Sequence, residues 1–379
     1  MHVVQISFFV DSERRSPDTL LDEWHSLVDI AGAIVTTGAR VTVIQASMVP
    51  GHIQQSDVVF HFVAPSRAGA RLTSSSAFRS LIKDLAPDVF HIHGLGFPQE
   101  VRALRDLAPK VPILLQDHAD RVPKFWRRRV WRQGAKAASG ISFCSRAQAE
   151  PFLKVGLLDS DMPIFEIPEG TSMFVPGDKA EARSATGMYG SPAVLWVAHL
   201  DANKDPLTVL SAVSEAALDL KELQLWCCYA SAPLLSAVRS RIASDARLRN
   251  RVHLLGRVPH EEIERMMRAA DLFVLGSHRE GGNFSLTEAL ATGLTPIVTD
   301  IPSSRALLGN GTVGALWPCE DWRALADELR TASVTGRAQT RSQVRAYFDA
   351  QLSSDAIGRK FNAAYSRLIG SKRPALVAS

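Results

Sequence analysis

Short runs of β-branched and apolar residues alternate with amphipathic helical stretches along almost the whole chain, and that rhythm admits few folds. In the first half HVVQISFFV is followed by DTLLDEWHSLVDIAGAIVTTG and then RVTVIQAS; later come DVVFHFVA, FRSLIKDLAP, DVFHIHG, VRALRDLA, PILLQD and GISFCS. Strands that read as continuous apolar runs are buried on both faces, and helices between them supply the crossovers that a parallel sheet needs. From Pro192 the alternation restarts with AVLWVAHL, DPLTVLSAVSEAALDL, LQLWCCYA, RVHLLGRV, HEEIERMMRAA, DLFVLGS, FSLTEALATG, TPIVTD and DWRALADELRTA. The expected class is therefore α/β, with two doubly wound parallel sheets of Rossmann type.

A length of 379 residues exceeds what one hydrophobic core serves. Residues 163–192, rich in Pro, Gly, Ser and Asp, show no clear periodicity and read as a connection, which puts the boundary near 175–190. The expected organisation is an N-terminal domain over 1–178, a second over 190–355, and a helix and tail over 356–379 that packs back on the first. The segment SQVRAYFDAQLSSDAIGRKFNAAYSRLI has apolar positions at helical spacing, whereas KRPALVAS is polar and should fray.

Composition closes off several function classes. Hydrophobic residues at 46% and charged residues at 22% fit neither a disordered nor a fibrous chain. A net charge of +4 gives no reason to expect nucleic acid. No apolar run approaches the ~18 residues of a membrane span, and no basic segment precedes the apolar start, so the chain reads as cytoplasmic. Cys144, Cys227, Cys228 and Cys319 lack metal-ligand spacing, and free thiols are expected. KFWRRRVWRQGAK at 124–136 carries six basic residues and no acid, interleaved with Phe125, Trp126, Val130 and Trp131. It is most simply a solvated helix face with its tryptophans packed inward, and alternatively a peripheral contact with the inner membrane.

The sharpest motif is HREGGNFSLTEALATGLTPIVTD at 278–300, lying between two strands. Gly281 and Gly282 permit close approach of backbone to a ligand, and Phe284 to Leu286 open a helix whose free N–H groups and dipole favour phosphate. Glu288, one turn in, suits ribose hydroxyls; Glu280, at the loop's start, suits sugar hydroxyls. In VLWVAHLDANKDPLTVL a strand ends in His199, and Lys204 enters the next loop, where a compact cation can offset a diphosphate.

These segments resemble the retaining glycosyltransferases of family four, which have the GT-B fold of two Rossmann-like domains facing a deep cleft. The resemblance runs through most of the chain. It rests on the glutamates Glu280 and Glu288, the EALATGLTPIVTD stretch, and the lysine of an Arg-x4-Lys diphosphate grip at Lys204, with His199 in the arginine position. PDVFHIHG, LLQDHAD, SFCSRAQAEPFLKVG, IPEGTSMFVPGD and LLGRVPHEEIERMMRAADLFVLGS follow in the family's order. The resemblance implies that His118 lies near the transferred sugar, that Arg257 and Val258 pass the nucleobase, and that Asn283, Phe284, Ser285 and Leu286 meet phosphate and sugar through their backbone. His93 and Gly94 are candidates for contact with acceptor or cleft.

Two departures stand out. His199 is a shorter and only partly charged stand-in for arginine. The loop after the first strand, FFVDSERRSPDTLLDEW, has no glycine where the family has a Gly-Gly pair, leaving Arg14 or Arg15 to reach a phosphate through side chains.

The expectation is thus a retaining, metal-independent hexosyltransferase that moves a sugar from a nucleoside-diphosphate sugar to a carbohydrate, lipid-linked or small-molecule acceptor, with no further cofactor. His118, Glu280 and Lys204 are its expected catalytic residues. The rivals are a catalytically degenerate relative that binds a nucleotide or partner, and a sugar-nucleotide epimerase. A nicotinamide dehydrogenase is disfavoured, because GNGTVG at 309–314 precedes a strand instead of opening a helix after one.

Overall fold

The computed structural model describes residues 1–11, 13–334 and 340–371 and divides into two compact units. The expected fray of the tail, 372–379, lies outside the described residues. Residues Met1–Thr171 with the segment from Ser354 onward form the first unit, and Ser172–Ser353 the second.

In the first unit the strands are β1 (His2–Ser7), β2 (Arg40–Ala46), β3 (Gly51–Gln55), β4 (Val58–Val63), β5 (Val89–His93), β6 (Ile113–Gln116), β7 (Gly140–Phe143) and β8 (Ile164–Glu166). They form one sheet in the order β3-β4-β2-β1-β5-β6-β7-β8. All neighbours are parallel except β3 and β4, which make an antiparallel hairpin at the edge. The sequence reading has no counterpart to β3, since GHIQQ lacks an apolar face. It pairs through its backbone, and Ser56 and Asp57, both at positive φ, close the tight turn. Alternate residues of the central strands point to opposite faces: Val4, Ile6, Phe90 and Ile92 join one core, and Val3, Val41, Val43 and Val89 the other.

The second core is closed by the C-terminal helix Ser354–Gly370, which contributes Ile357, Phe361 and Tyr365. It crosses the helix His25–Val35 at Gly358, where a Cβ would lie 2.0 Å from the Ala33 carbonyl oxygen. Only glycine allows that approach.

The second unit holds β9 (Ala193–Val197), β10 (Gln224–Cys228), β11 (Val252–Gly256), β12 (Leu272–Leu275), β13 (Thr295–Thr299) and β14 (Ala315–Trp317), in the order β11-β10-β9-β12-β13-β14 and parallel throughout. GNGTVG lies immediately before β14 and opens no helix.

The division between units falls before residue 172, upstream of the 175–190 stretch expected from composition. Residues from there on are tied to the second unit: the Val175 amide donates to Glu264 at 2.8 Å, and Arg345 donates to the Phe174 carbonyl at 3.0 Å. The helix Lys179–Thr186 lies inside what reads as a connection. Asp178 caps it, Arg183 pairs with Asp271 at 2.8 Å, and Lys179 pairs with the same carboxylate. Ala182 is its one buried residue, so it has no apolar stripe for periodicity to reveal.

In each sheet the chain starts in the middle, builds outward one way and then returns to the other side. The reversal lies between β1 and β5 in the first unit and between β9 and β12 in the second. Open α/β sheets bind ligands outside the carboxyl ends of their strands at such a point.

Candidate active site

Four loops at the carboxyl ends of β9, β10, β11 and β12 enclose a cavity of about 380 Å³ in the second unit. From β9 come His199 and Lys204, from β10 Tyr229, from β11 Arg257 and Val258, and from the β12 loop and its helix Glu280, Gly282, Asn283, Phe284, Ser285 and Glu288. Gly281 and Leu286, also expected there, are buried and do not line it.

The β9 and β12 loops brace each other. His278 donates its amide to the Asn203 carbonyl at 2.8 Å, Asn203 donates to the Arg279 carbonyl at 3.0 Å, and the His278 ring meets Asp205 at 3.1 Å. A Cβ on Gly276 would come within 3.0 Å of the Lys204 carbonyl, so a small residue is needed where the loops pass. This bracing brings Lys204 onto Glu280 as an ion pair whose side chains are 17% and 12% exposed. Glu288 accepts from the ring of His260 at 2.7 Å.

The helix Phe284–Ala291 begins at Asn283, whose side-chain oxygen accepts from the Leu286 amide at 3.2 Å. One of the N–H groups expected to face a phosphate is therefore already used. Those of Phe284 and Ser285 make no hydrogen bond among the described residues. His199 is exposed, and its Nδ1 accepts from the Ser231 amide at 3.3 Å. Arg257 is exposed with no acidic partner among the described residues. The crevice thus gathers two carboxylates, a lysine and two free backbone donors, a set that can hold a phosphate and hydroxyls together.

His118 and His93 belong to the first unit, at the ends of β6 and β5. Their rings meet at 3.1 Å between His93 Nδ1 and His118 Nε2, and Glu169 lies 2.7 Å from His118 Nδ1. His93 reaches Gln5 at 3.4 Å. Behind it, His91 is held by Gln116 at 2.9 Å and by the Tyr365 hydroxyl at 2.8 Å. Burial holds His93 well below its usual pKa and His91 down to about 3, so both rings are neutral. For His118 burial opposes protonation, but the hydrogen bond and charge of Glu169, with Asp117 and Asp120, outweigh it and raise the pKa. Asp117, buried beside Asp120 and Glu169, is pushed up to about 7. The consistent arrangement has a protonated His118 donating to Glu169 on one side and to His93 on the other. Gly94, at positive φ, makes the turn that follows β5.

Glu169 carries no role in the sequence reading, although it sits in the quoted IPEGTSMFVPGD. Tyr365, His260 and Tyr229 are likewise met only in three dimensions. Asp117 and His118 both bind protons more tightly folded than unfolded. Stability should therefore fall with rising pH, between 3.8 and about 7 for Asp117 and from 6.5 upward for His118. Replacing Glu169 by Gln removes a raising contact from both groups, so the His118 pKa should drop. Ring-proton NMR titration checks this, and an unchanged midpoint would mean that Glu169 does not hold the charge.

Comparison with known proteins gives a consistent result. Residues 25–165 match the model described as Glycosyltransferase Family 4, and residues 178–346 match Glycosyl transferases group 1. The chain is 23% identical over 259 residues to the GDP-mannose:cellobiosyl-diphosphopolyprenol alpha-mannosyltransferase of Xanthomonas campestris, a match covering 66% of each chain, just under two thirds. It is 29% identical over 187 residues to the D-inositol 3-phosphate glycosyltransferase of Segniliparus rotundus, covering 47% of this chain and 41% of that one. A glycosyltransferase from Rickettsia africae has a similar fold, with a TM-score of 0.74 at 12% identity over 98% of this chain and 99% of its own. Anabaena HepE, solved with UDP, gives 0.73 at 16% identity over 97% of this chain and all of its own.

Proposed function

Because the chain belongs to the group 1 glycosyl transferases, with a family-four first half, we propose that it transfers a sugar from a nucleoside-diphosphate sugar to an acceptor hydroxyl, with retention and without a metal. The observation that carries this reading is the convergence of Lys204, Glu280, Glu288 and the free amides of Phe284 and Ser285 on one crevice at the switch point of the second sheet.

As the bond to the anomeric carbon breaks, negative charge gathers on the leaving diphosphate. Lys204 and the helix N-terminus stabilise it, and drawing Lys204 toward the diphosphate releases Glu280 to accept from sugar hydroxyls. Glu288, oriented by His260, accepts from ribose hydroxyls. The acceptor oxygen attacks on the face from which the leaving oxygen departs; its proton passes to that phosphate oxygen, and the nucleoside diphosphate leaves. Neither glutamate acts as nucleophile. In the first unit the proposed catalytic residue is His118, whose charge Glu169 holds.

The basic segment fits attachment to an anionic bilayer. The turn Phe125–Arg127 leads into the helix Arg128–Ala137, and Phe125 and Trp126 are 73% and 61% exposed. Of the two tryptophans only Trp131 packs against the core, so the inward-packed reading fails for Trp126. Arg127, Arg129 and Lys136 have no acidic partner among the described residues. Cations beside exposed aromatics are the composition of an interfacial helix. Among the described residues no helix is long and apolar enough to cross a membrane.

One set of measurements tests the whole reading. UDP, GDP, TDP and ADP are titrated calorimetrically with chelator present, product is followed with the nucleotide sugar that binds, and the protein is sedimented with vesicles containing phosphatidylglycerol. Binding of one nucleoside diphosphate, release of that diphosphate, and co-sedimentation lost on Trp126→Ala are expected. Absence of all nucleotide binding would favour a degenerate relative, which the exposed His199 and the glycine-free loop after β1 already motivate. Release of a new sugar nucleotide would favour an epimerase.

A further inference from the structure

The switch point of the first sheet also opens on a cavity, of about 800 Å³, which no part of the proposed donor chemistry uses. Its walls come from the loops after β1, β4 and β5 and from the basic segment, with Met48 added from the loop after β2. Phe8, Val10, Phe97, Trp126, Val130 and Trp131 make much of it apolar. Gly134, behind Trp131, packs so closely on Pro98 that a Cβ would meet its Cα at 2.5 Å, which seats the helix Arg128–Ala137 against this wall.

The charged groups in the lining divide sharply. Both acids are spoken for: Asp11 is paired with Arg15 at 2.6 Å, and Glu100 accepts from the amides of Leu72 and Thr73 at 2.6 and 3.1 Å. The cations are not. Arg14, Arg71 and Arg127 are exposed, and none has an acidic partner among the described residues. The cavity thus presents an apolar floor and three uncompensated guanidinium groups at its edge.

Each simpler occupant leaves part of that lining unmatched. A neutral sugar would need acceptors, and the carboxylates are engaged elsewhere. Inorganic phosphate would answer the arginines and leave the aromatic wall wet, whereas a plain hydrocarbon would do the reverse. A phosphate or diphosphate joined to an apolar chain answers both, since guanidinium groups bind phosphate oxygens in pairs and the chain covers apolar surface. Trp126 belongs both to this wall and to the exposed aromatic pair, so the cavity is continuous with the bilayer-facing segment.

We propose that this cavity binds a phosphorylated amphiphile and that, on the glycosyl-transfer reading above, that amphiphile is the acceptor. Arg14, Arg71 and Arg127 hold its phosphate; Phe97, Trp126 and Trp131 hold the first part of its chain.

The test uses the full chain and decyl phosphate, below its micellar concentration, followed by tryptophan fluorescence. Decyl phosphate should bind saturably, and neither inorganic phosphate nor decyl maltoside should bind at the same concentrations. Replacing Arg71 and Arg127 together with Gln should weaken decyl phosphate about tenfold or more, with the thermal transition unchanged because both side chains are exposed. Decyl maltoside binding as tightly as decyl phosphate would overturn the proposal, as would an unaffected double variant. The nucleotide titration separates the two readings. Decyl phosphate binding without any nucleoside diphosphate binding would leave the cavity standing and remove the transferase; the opposite pair of results would remove the cavity alone.

Discussion

Replacing Lys204 with Ala is expected to lower kcat/KM for the nucleotide sugar by roughly 10²–10³-fold, the size seen when a single donor to a developing negative charge is removed. Its consequence for the free protein is separate. Lys204 and Glu280 form a pair in which both side chains are mostly buried, so the single change leaves a carboxylate without its cation. A modest loss of stability should therefore accompany K204A, and adding Glu280→Gln should relieve it without restoring activity. Glu280→Ala alone should also reduce turnover far beyond its effect on folding, because it removes the group assigned to the sugar. Steady-state kinetics, read beside thermal unfolding of the three variants, separates these effects. Unchanged kcat/KM in K204A would take the lysine out of the donor site, and unchanged turnover in E280A would do the same for the glutamate.

Phe361→Ala should have the largest effect on stability, about 3–5 kcal/mol as for other fully buried aromatics. Phe361 has no exposed surface, stacks on Tyr365 with centroids 5.9 Å apart, and lies 4.9 Å from the His91 ring. Its loss opens a cavity between the C-terminal helix and the sheet of the first unit, and loosens the helix that brings the Tyr365 hydroxyl to His91. Two units need not unfold together, so an observable that separates them is needed beside the global transition. Hydrogen exchange resolved by segment is the right one. Amides of β1, β5 and β6 should exchange faster in F361A, while those of β9 and β12 should not change. Equal protection of the first sheet in both proteins would show that the helix contributes little to holding it.

Much of this organisation is legible in one dimension. Continuous apolar runs such as AVLWV and TPIVT can only be strands buried on both faces, and the helical stretches between them force parallel crossovers. Two glutamates astride a Gly-Gly turn and a helix start, with a lysine after another strand, likewise announce phosphate and hydroxyl chemistry, and the fold brings Lys204, Glu280 and Glu288 into one crevice. The elements that escape are those with no apolar signature. GHIQQ pairs through its backbone alone, and the helix Lys179–Thr186 is held by Asp178 and Asp271 instead of a hydrophobic stripe.

Pattern alone, then, determined the α/β class and the two doubly wound sheets, and put Lys204, Glu280 and Glu288 in loops at strand ends, because periodicity and strand-end position are local properties of the chain. Strand order, and every contact that depends on it, was decided only in the folded structure. Glu169 reaches His118, Tyr365 reaches His91 across 274 residues, and Asn283 takes the Leu286 amide that was expected to face a ligand. Such contacts depend on which loops close against each other. Nothing in the spacing of residues along the chain encodes that choice, because it is made by the packing of whole sheets and helices.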